Sequence, residues 1–332
     1  MKFLITGGCG FIGSNFIRYI LNKYPDYEVI NLDKLTYAGN LESLKDVESN
    51  PNYSFVKGDI CDKKIVGELM PNMDAVVNFA AETHVDRSIM DADNFIKTDV
   101  IGTFILLEAA EKNNIKKFIQ ISTDEVYGEI REGSFKETHE LRPRNPYAAS
   151  KAAADRLAYS FFATHKLPVI ITRSSNNYGP YQYPEKLIPL FITNLMEGKK
   201  VPLYGDGSNI RDWLFVLDNC EAIDFVMRKG ETGEVYNIGG ESERTNLELT
   251  KFLLNGVERN ESFIEYVKDR PGHDKRYSLD LTKIKTLGWK PRYKFEEGMK
   301  QTIQWYKDNQ EWWKKLKDKE FKEYYKRQYQ ER

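Results

Sequence analysis

The chain has 332 residues, 41% of them hydrophobic, with 49 Lys and Arg against 50 Asp and Glu and a formal net charge of -1. That length suits a large α/β domain with a smaller lobe, and so even a charge balance builds no field that would draw the chain to nucleic acid or to an anionic membrane. Cys9, Cys61 and Cys220 form no CxxC pair and the four histidines are scattered, so neither a disulfide framework nor a metal site is expected.

The first run, "KFLIT", is too short for a signal peptide and lacks a cleavage site. No later run is long enough to span a bilayer, so the sequence reads as a soluble, cytoplasmic protein. "TGGCGFIG" follows at once and opens the helical pattern "FIGSNFIRYILNKY". Gly8, Gly10 and Gly13 satisfy G-x-G-x-x-G, and Gly7, Gly10 and Gly13 satisfy the G-x-x-G-x-x-G variant. In either register the glycines permit close backbone approach, and the helix N-terminus offers free N–H groups to a pyrophosphate. The second run, "EVINLD", ends in Asp33 at the spacing of an acid that accepts from ribose hydroxyls and repels a 2′-phosphate, which favours NAD over NADP. Lys34 follows immediately and gives the opposing reading, a cation that would welcome that phosphate. The third run, "YSFVKGD", ends in Asp59, placed either to reach the adenine edge or to cap the next helix.

"AVVNFAA", "KFIQIST" and "PVIITRSS" continue the series, each apolar enough for a strand buried on both faces, with helical patterns such as "NFIKTDVIGTFILLEAAEKN" between them. The fold class is therefore α/β: a Rossmann-type, doubly wound parallel sheet with right-handed crossovers and a smaller C-terminal substrate-binding lobe. Residues 1–180 read as the NAD-binding domain, with its sheet completed by segments after residue 200. Residues 181–332 read mainly as a substrate-binding lobe interleaved with it. "NPYAASKAAADRLAYSFF" is a helix that sets Tyr147 and Lys151 on one face, where an ammonium can favour a phenolate able to take a proton from an alcohol. After Gly179 the strand–helix rhythm breaks into Pro-, Gly- and aromatic-rich loops of the kind that build a pocket over a scaffold. The last segment, "NQEWWKKLKDKEFKEYYKRQYQER", reads as one amphipathic helix, either solvated against the body or binding a partner.

"TGGCGFIG", "YAASK" and "SSNNYGP" make the chain, from Met1 to about Asp308, resemble the extended short-chain dehydrogenase/reductases. Thr123, Tyr147 and Lys151 would suffice there for an alcohol oxidoreductase or a sugar epimerase. "STDEVYG" adds Asp124 and Glu125. Eliminating water from a sugar beside a transient ketone needs one proton acceptor and one proton donor on neighbouring carbons, and these two can supply them. The other reading pairs one carboxylate with a nearby Lys or Arg and turns its neighbour to solvent; which of the two is protonated stays open.

With "DKLTYAGN", "AAETHVDRS", "RSSNNYGPYQYPEKLIP", "IRDWLFV" and "DRPGHD", the resemblance narrows to the dTDP-glucose 4,6-dehydratases. It implies Asp124 as the acid for the C6 hydroxyl, Glu125 as the base at C5, Tyr147 and Lys151 for C4 oxidation, and Thr123 on the C4 hydroxyl. It further implies that Gly7, Gly10, Phe11, Ile12, Gly13, Asp33, Lys34, Leu35, Thr36, Asp59, Ile60, Ala80, Ala81, Thr98, Tyr147, Lys151 and Asn177 contact NAD. Thr83, Thr123, Asn176, Lys186, Leu187, Pro202, Leu203, Tyr204, Arg211, Asn246, Asp269, Arg270 and His273 would hold the nucleotide sugar. Forked guanidinium groups at Arg211 and Arg270 suit a diphosphate; the alternative is surface arginine. Thr83 and Ala148 stand where the family commonly has serine. The resemblance also implies a homodimer. Other readings are a dehydratase of UDP-glucose, CDP-glucose or GDP-mannose, a 4-epimerase, or a non-catalytic NAD-binding regulator.

Overall fold

The computed structural model describes residues 1–269 and 272–329. Among them, strands β1 (Lys2–Thr6), β2 (Glu28–Asp33), β3 (Tyr53–Lys57), β4 (Ala75–Asn78), β5 (Lys117–Thr123) and β6 (Val169–Ser174) are the six apolar runs of the sequence. Six further strands follow: β7 (Asn176–Tyr178), β8 (Val201–Tyr204), β9 (Ile210–Phe215), β10 (Val235–Ile238), β11 (Glu243–Thr245) and β12 (Ile264–Val267). The main sheet runs β10-β6-β5-β4-β1-β2-β3, every pair parallel. Its order reverses between β1 and β4, so a crevice opens beyond the carboxyl ends of those two strands. β11, β9 and β7 form a second sheet, and β12 pairs with β8.

Apolar side chains cover both faces, as a parallel sheet requires. One face packs Phe16, Ile17 and Ile20 with Ile223 and Val226, and the other packs Leu106, Leu107 and Ala158. A third, aromatic-rich core gathers Phe191, Trp213, Tyr306 and Trp313 behind the smaller sheets. Under the crevice the sheet buries polar residues that satisfy one another. The Thr6 hydroxyl donates to Asn78 Oδ1 at 2.6 Å, and Asn78 Nδ2 donates to Gln120 Oε1 at 3.0 Å.

Two helical expectations change. "NFIKTDVIG" winds as a π-helical turn over Ile96–Gly102 before the α-helix Thr103–Lys112, the kind of local widening that recurs at functional sites. The C-terminal segment is two helices, Gln310–Leu316 and Lys319–Tyr329. The chain turns between them because Lys317 is pulled inward to Asn194 Oδ1 and Glu197 Oε2, each at 3.0 Å, and Asp318 caps the next helix through Phe321 N at 2.9 Å. No helix among the described residues is long and apolar enough to cross a membrane.

Candidate active site

A cleft of about 410 Å³ opens at the crevice and is walled by both parts of the chain. On its β1–β2 side, Gly7 has φ of +68°, and a Cβ there would stand 2.6 Å from Ala80 N; one on Gly13 would stand 2.4 Å from Gly7 O. The cradle therefore excludes any side chain at these two positions. The helix Phe11–Lys23 starts at Gly10 with no side-chain cap, so its first N–H groups remain for an anion. Asp33 is buried, and its carboxylate accepts from Cys9 N and Leu35 N, each at 2.8 Å. Burial raises its pKa against those two bonds, and each oxygen keeps a lone pair for a further donor.

Lys34 is held by Asp59 at 2.8 Å, and that bond is the main cause of its raised pKa. Its ammonium is thereby committed to a carboxylate rather than offered to a phosphate. The helix after β3 is capped by Asp62, which accepts from Lys64 N and Ile65 N, so Asp59 is not its cap. Asp59 closes a local turn onto Cys61 N at 2.9 Å while facing the cleft. Asn177 Oδ1 is buried without a hydrogen-bond partner. These groups fit a dinucleotide with free ribose hydroxyls, and NAD is the cofactor they suit.

Thr123 ends β5 and its hydroxyl accepts from Glu125 N at 3.3 Å, starting the 3-10 turn Asp124–Tyr127. That turn is what bends the strand so that both acids reach the cleft. Asp124 is 2% exposed, and its Oδ2 has no hydrogen-bond partner. Burial first, then the neighbouring Glu125 charge, lifts its pKa well above the carboxylate range. Glu125 is half-buried and accepts from Asn145 Nδ2 at 3.4 Å. Tyr147 and Lys151 come from the helix Pro146–His165, capped by Asn145 onto Ala148 N at 2.8 Å. Burial raises the Tyr147 phenol, with Glu125 and Asp99 adding to it, and Thr123 lies within hydrogen-bonding reach. Burial lowers Lys151, whose ammonium donates to Ile121 O at 2.7 Å.

On the opposite side, Arg211 is buried rather than a surface arginine, with its guanidinium on Ile210 O at 2.7 Å and Asp274 O at 2.9 Å. Lys186 Nζ meets Thr83 Oγ1 at 3.2 Å. Asn176 Oδ1 and Asn246 Oδ1 are buried without a hydrogen-bond partner, as atoms that await a ligand donor would be. Leu187, Pro202, Leu203, Tyr204 and His273 complete this wall.

Of the expected site residues, Leu35 and Asp269 do not line the cleft. Leu35 contributes its backbone N–H to Asp33, and Asp269 backs His273 through Nδ1 at 2.6 Å. Arg270 lies outside the described residues. Among the described residues no three His, Cys, Asp or Glu side chains converge as metal ligands would.

The structure adds residues that spacing alone did not flag. Asp99, in the π-helical turn, accepts from Ser150 Oγ at 2.6 Å and Glu82 N at 2.8 Å; burial lifts it to about 7 beside Lys151. Its one sequence signal is an acid inside an apolar helical pattern. Glu185 pairs with Arg87 at 2.9 Å behind Tyr37, and Tyr329 enters from the C-terminus.

A family model described as GDP-mannose 4,6 dehydratase matches residues 4–302. A dTDP-glucose 4,6-dehydratase of Streptomyces niveus is 52% identical over 96% of this chain and 96% of its own. A Haloferax volcanii protein described as low-salt glycan biosynthesis protein Agl12 is 53% identical over 92% of this chain and 98% of its own. Among solved structures, DesIV, a dTDP-glucose 4,6-dehydratase of Streptomyces venezuelae with NAD bound, superposes with a TM-score of 0.94. It is 50% identical over 95% of this chain and 100% of that one.

Proposed function

The chain belongs to the GDP-mannose 4,6 dehydratase family, and within it we propose an NAD-dependent dTDP-glucose 4,6-dehydratase, a hydro-lyase that yields dTDP-4-keto-6-deoxyglucose and water. The observation that carries this reading is the division of the Asp124–Glu125 pair: one carboxyl is buried with its pKa pushed well up, the other is half-buried, and both line the cleft beside Tyr147. A 4-epimerase or a regulator has no use for such a pair.

Gly7, Gly13 and Asp33 would hold NAD, which when bound would accept a hydride from C4 and return it to C6. Thr123 holds the C4 hydroxyl and Tyr147 takes its proton. Burial and the Glu125 and Asp99 charges raise that phenol's pKa, and Lys151, one helix turn on, is the cation that would offset them when the phenolate forms. The C4 ketone acidifies the C5 hydrogen, which Glu125 removes as a proton. Asp124 delivers its proton to the C6 oxygen, the C6–O bond breaks, and water leaves. C6 regains the hydrogen lost from C4, Glu125 returns a proton to C5, and the proton that Tyr147 took from the C4 hydroxyl, released to solvent, offsets the one that Asp124 must take back. Arg211 and Lys186 balance the diphosphate.

In the same proposal residues 1–180 mainly hold NAD and residues 181–332 mainly hold the nucleotide sugar. Work in the cytoplasm and assembly as a homodimer also belong to it. The dimer is supported by Ile96, Ile101 and Tyr159, which are exposed on two helical segments packed together; sedimentation of the purified chain at monomer mass would refute it.

Incubation with dTDP-, UDP-, CDP- and GDP-hexoses tests the reaction and the base. We expect a 4-keto-6-deoxy product with dTDP-glucose at the highest kcat/KM. A C4 epimer that keeps its C6 oxygen would refute the dehydratase, and preference for another base would refute the assigned substrate.

A further inference from the structure

Nothing in the reaction above uses the C-terminal segment, whose aromatic stripe reads from sequence as packing. In the structure its last helix, Lys319–Tyr329, ends at the cleft, and Tyr329 lines it. The Tyr329 ring stands 5.7 Å from that of Tyr204 at 32°, and the Tyr204 ring stands 5.9 Å from that of His273 at 79°. Three flat side chains from distant stretches thus meet at one end of the cleft. Gln328, buried, donates from Nε2 to the Tyr204 hydroxyl at 2.6 Å, and the Asp86 carboxylate lies 3.4 Å from the same hydroxyl. The helix is further seated by Tyr324, which meets His84 Nδ1 at 3.5 Å and lies beneath the Arg87 guanidinium at 4.8 Å. His84 itself has φ of +101°, a strained backbone that persists only where its surroundings hold it. A buried amide bonded to a half-buried phenol favours one seating of the helix, since the Gln328 amide left unpaired would be costly there.

We propose that the C-terminal helix is part of the substrate site: Tyr329 walls the subsite for the base of a pyrimidine nucleoside diphosphate, and Gln328 is a positioning residue that fixes the Tyr204 ring. This inference rests on the nucleotide-sugar reading. The sugar must meet Asp124 and Glu125, and the diphosphate suits Arg211 and Lys186. The remaining aromatic corner has no cation requirement to meet and matches a flat heterocycle, which stacks on or packs edge-on to aromatic rings. The glycine loop and Asp33 line the other half of the cleft, so the helix should govern nucleoside diphosphate affinity and leave NAD affinity alone. Seating of the helix and binding of that ligand must then favour each other equally.

Titration calorimetry with dTDP and, separately, with NAD tests this on the full chain and on Tyr329→Ala, Tyr329→Phe and Gln328→Ala. We expect Tyr329→Ala to weaken dTDP binding by about tenfold, Tyr329→Phe to restore it because the ring rather than the hydroxyl forms the wall, and NAD binding to stay unchanged throughout. Gln328→Ala should raise KM for the nucleotide sugar with kcat preserved. Undiminished dTDP affinity in Tyr329→Ala, or equal loss of dTDP and NAD, overturns the inference and leaves the proposed reaction standing. If the unsubstituted chain binds neither dTDP nor any other nucleoside diphosphate, both fall.

Discussion

Asp124 and Glu125 are adjacent and chemically alike, and the fold makes them different by burial. The Asp124 carboxyl is 2% exposed and its Oδ2 finds no donor, so burial, with the Glu125 charge beside it, raises its pKa and favours the protonated form. Such a group binds more protons folded than unfolded above the ordinary carboxylate pKa, so it lowers stability progressively as pH rises through that window. Asp124→Asn removes the titration: its melting temperature relative to the unsubstituted chain should climb from pH about 4 upward, while turnover drops by about 10²- to 10⁴-fold. A difference in melting temperature that is flat with pH would contradict a protonated Asp124. Glu125→Gln should instead accumulate bound sugar oxidised at C4 with its C6 oxygen retained, read by mass spectrometry of the quenched complex; full elimination would remove Glu125 from the chemistry. Sequence made Thr123, Tyr147, Lys151, Asp33 and the glycines legible, because their signal is local spacing on one strand or one helix turn. Which acid keeps the proton, and whether Lys34 is free or tied to Asp59, depend on neighbours brought from elsewhere in the fold.

The helix Pro146–His165 places Tyr147, Lys151 and Asp155 at successive four-residue steps on one face. Asp155 accepts from Arg173 Nε at 2.8 Å and Nη2 at 3.0 Å. Arg173 Nη1 donates to the Tyr127 hydroxyl at 2.7 Å, and that hydroxyl donates to Asn237 Oδ1 at 2.9 Å. One buried chain of bonds therefore joins the helix of Tyr147 to β6, to the turn bearing Asp124 and Glu125, and to β10. Burial would raise Asp155, but the Arg173 guanidinium outweighs it and holds its pKa below the usual value. The pair's contribution is thus complete above the ordinary carboxylate pKa and is lost as pH falls through the lowered one. Asp155→Ala strands a buried guanidinium and should cost about 3–5 kcal/mol in urea unfolding, most of it recovered by Asp155→Leu with Arg173→Met; a cost under about 1 kcal/mol would show that Arg173 finds water or another acceptor. The six apolar runs were legible as strands because burial on both faces leaves a continuous signature. The π-helical turn at Asp99 and the break at Lys317 were not, since each is set by a partner distant in sequence: Glu82 N for the one, Asn194 and Glu197 for the other.

Across the whole molecule, the reversal in strand order places the crevice, and the segments after Gly179 supply its far wall. Pocket-building loops after Gly179 were legible in the loss of strand–helix rhythm there. The return of β10 to the main sheet beside β6 shows how closely the two walls are woven. Tyr329 was illegible as a cleft residue, because an aromatic stripe on an amphipathic helix looks the same whether it fills a core or faces a ligand. We propose that one cleft oxidises C4, removes water across C5 and C6, and reduces C6, without release between steps. Turnover of dTDP-glucose deuterated at C4 measures it most directly. The expected product is a 4-keto-6-deoxy sugar nucleotide carrying that deuterium at C6 of the same molecule. Deuterium that stays at C4 with the C6 oxygen in place, or that washes into solvent, would contradict it.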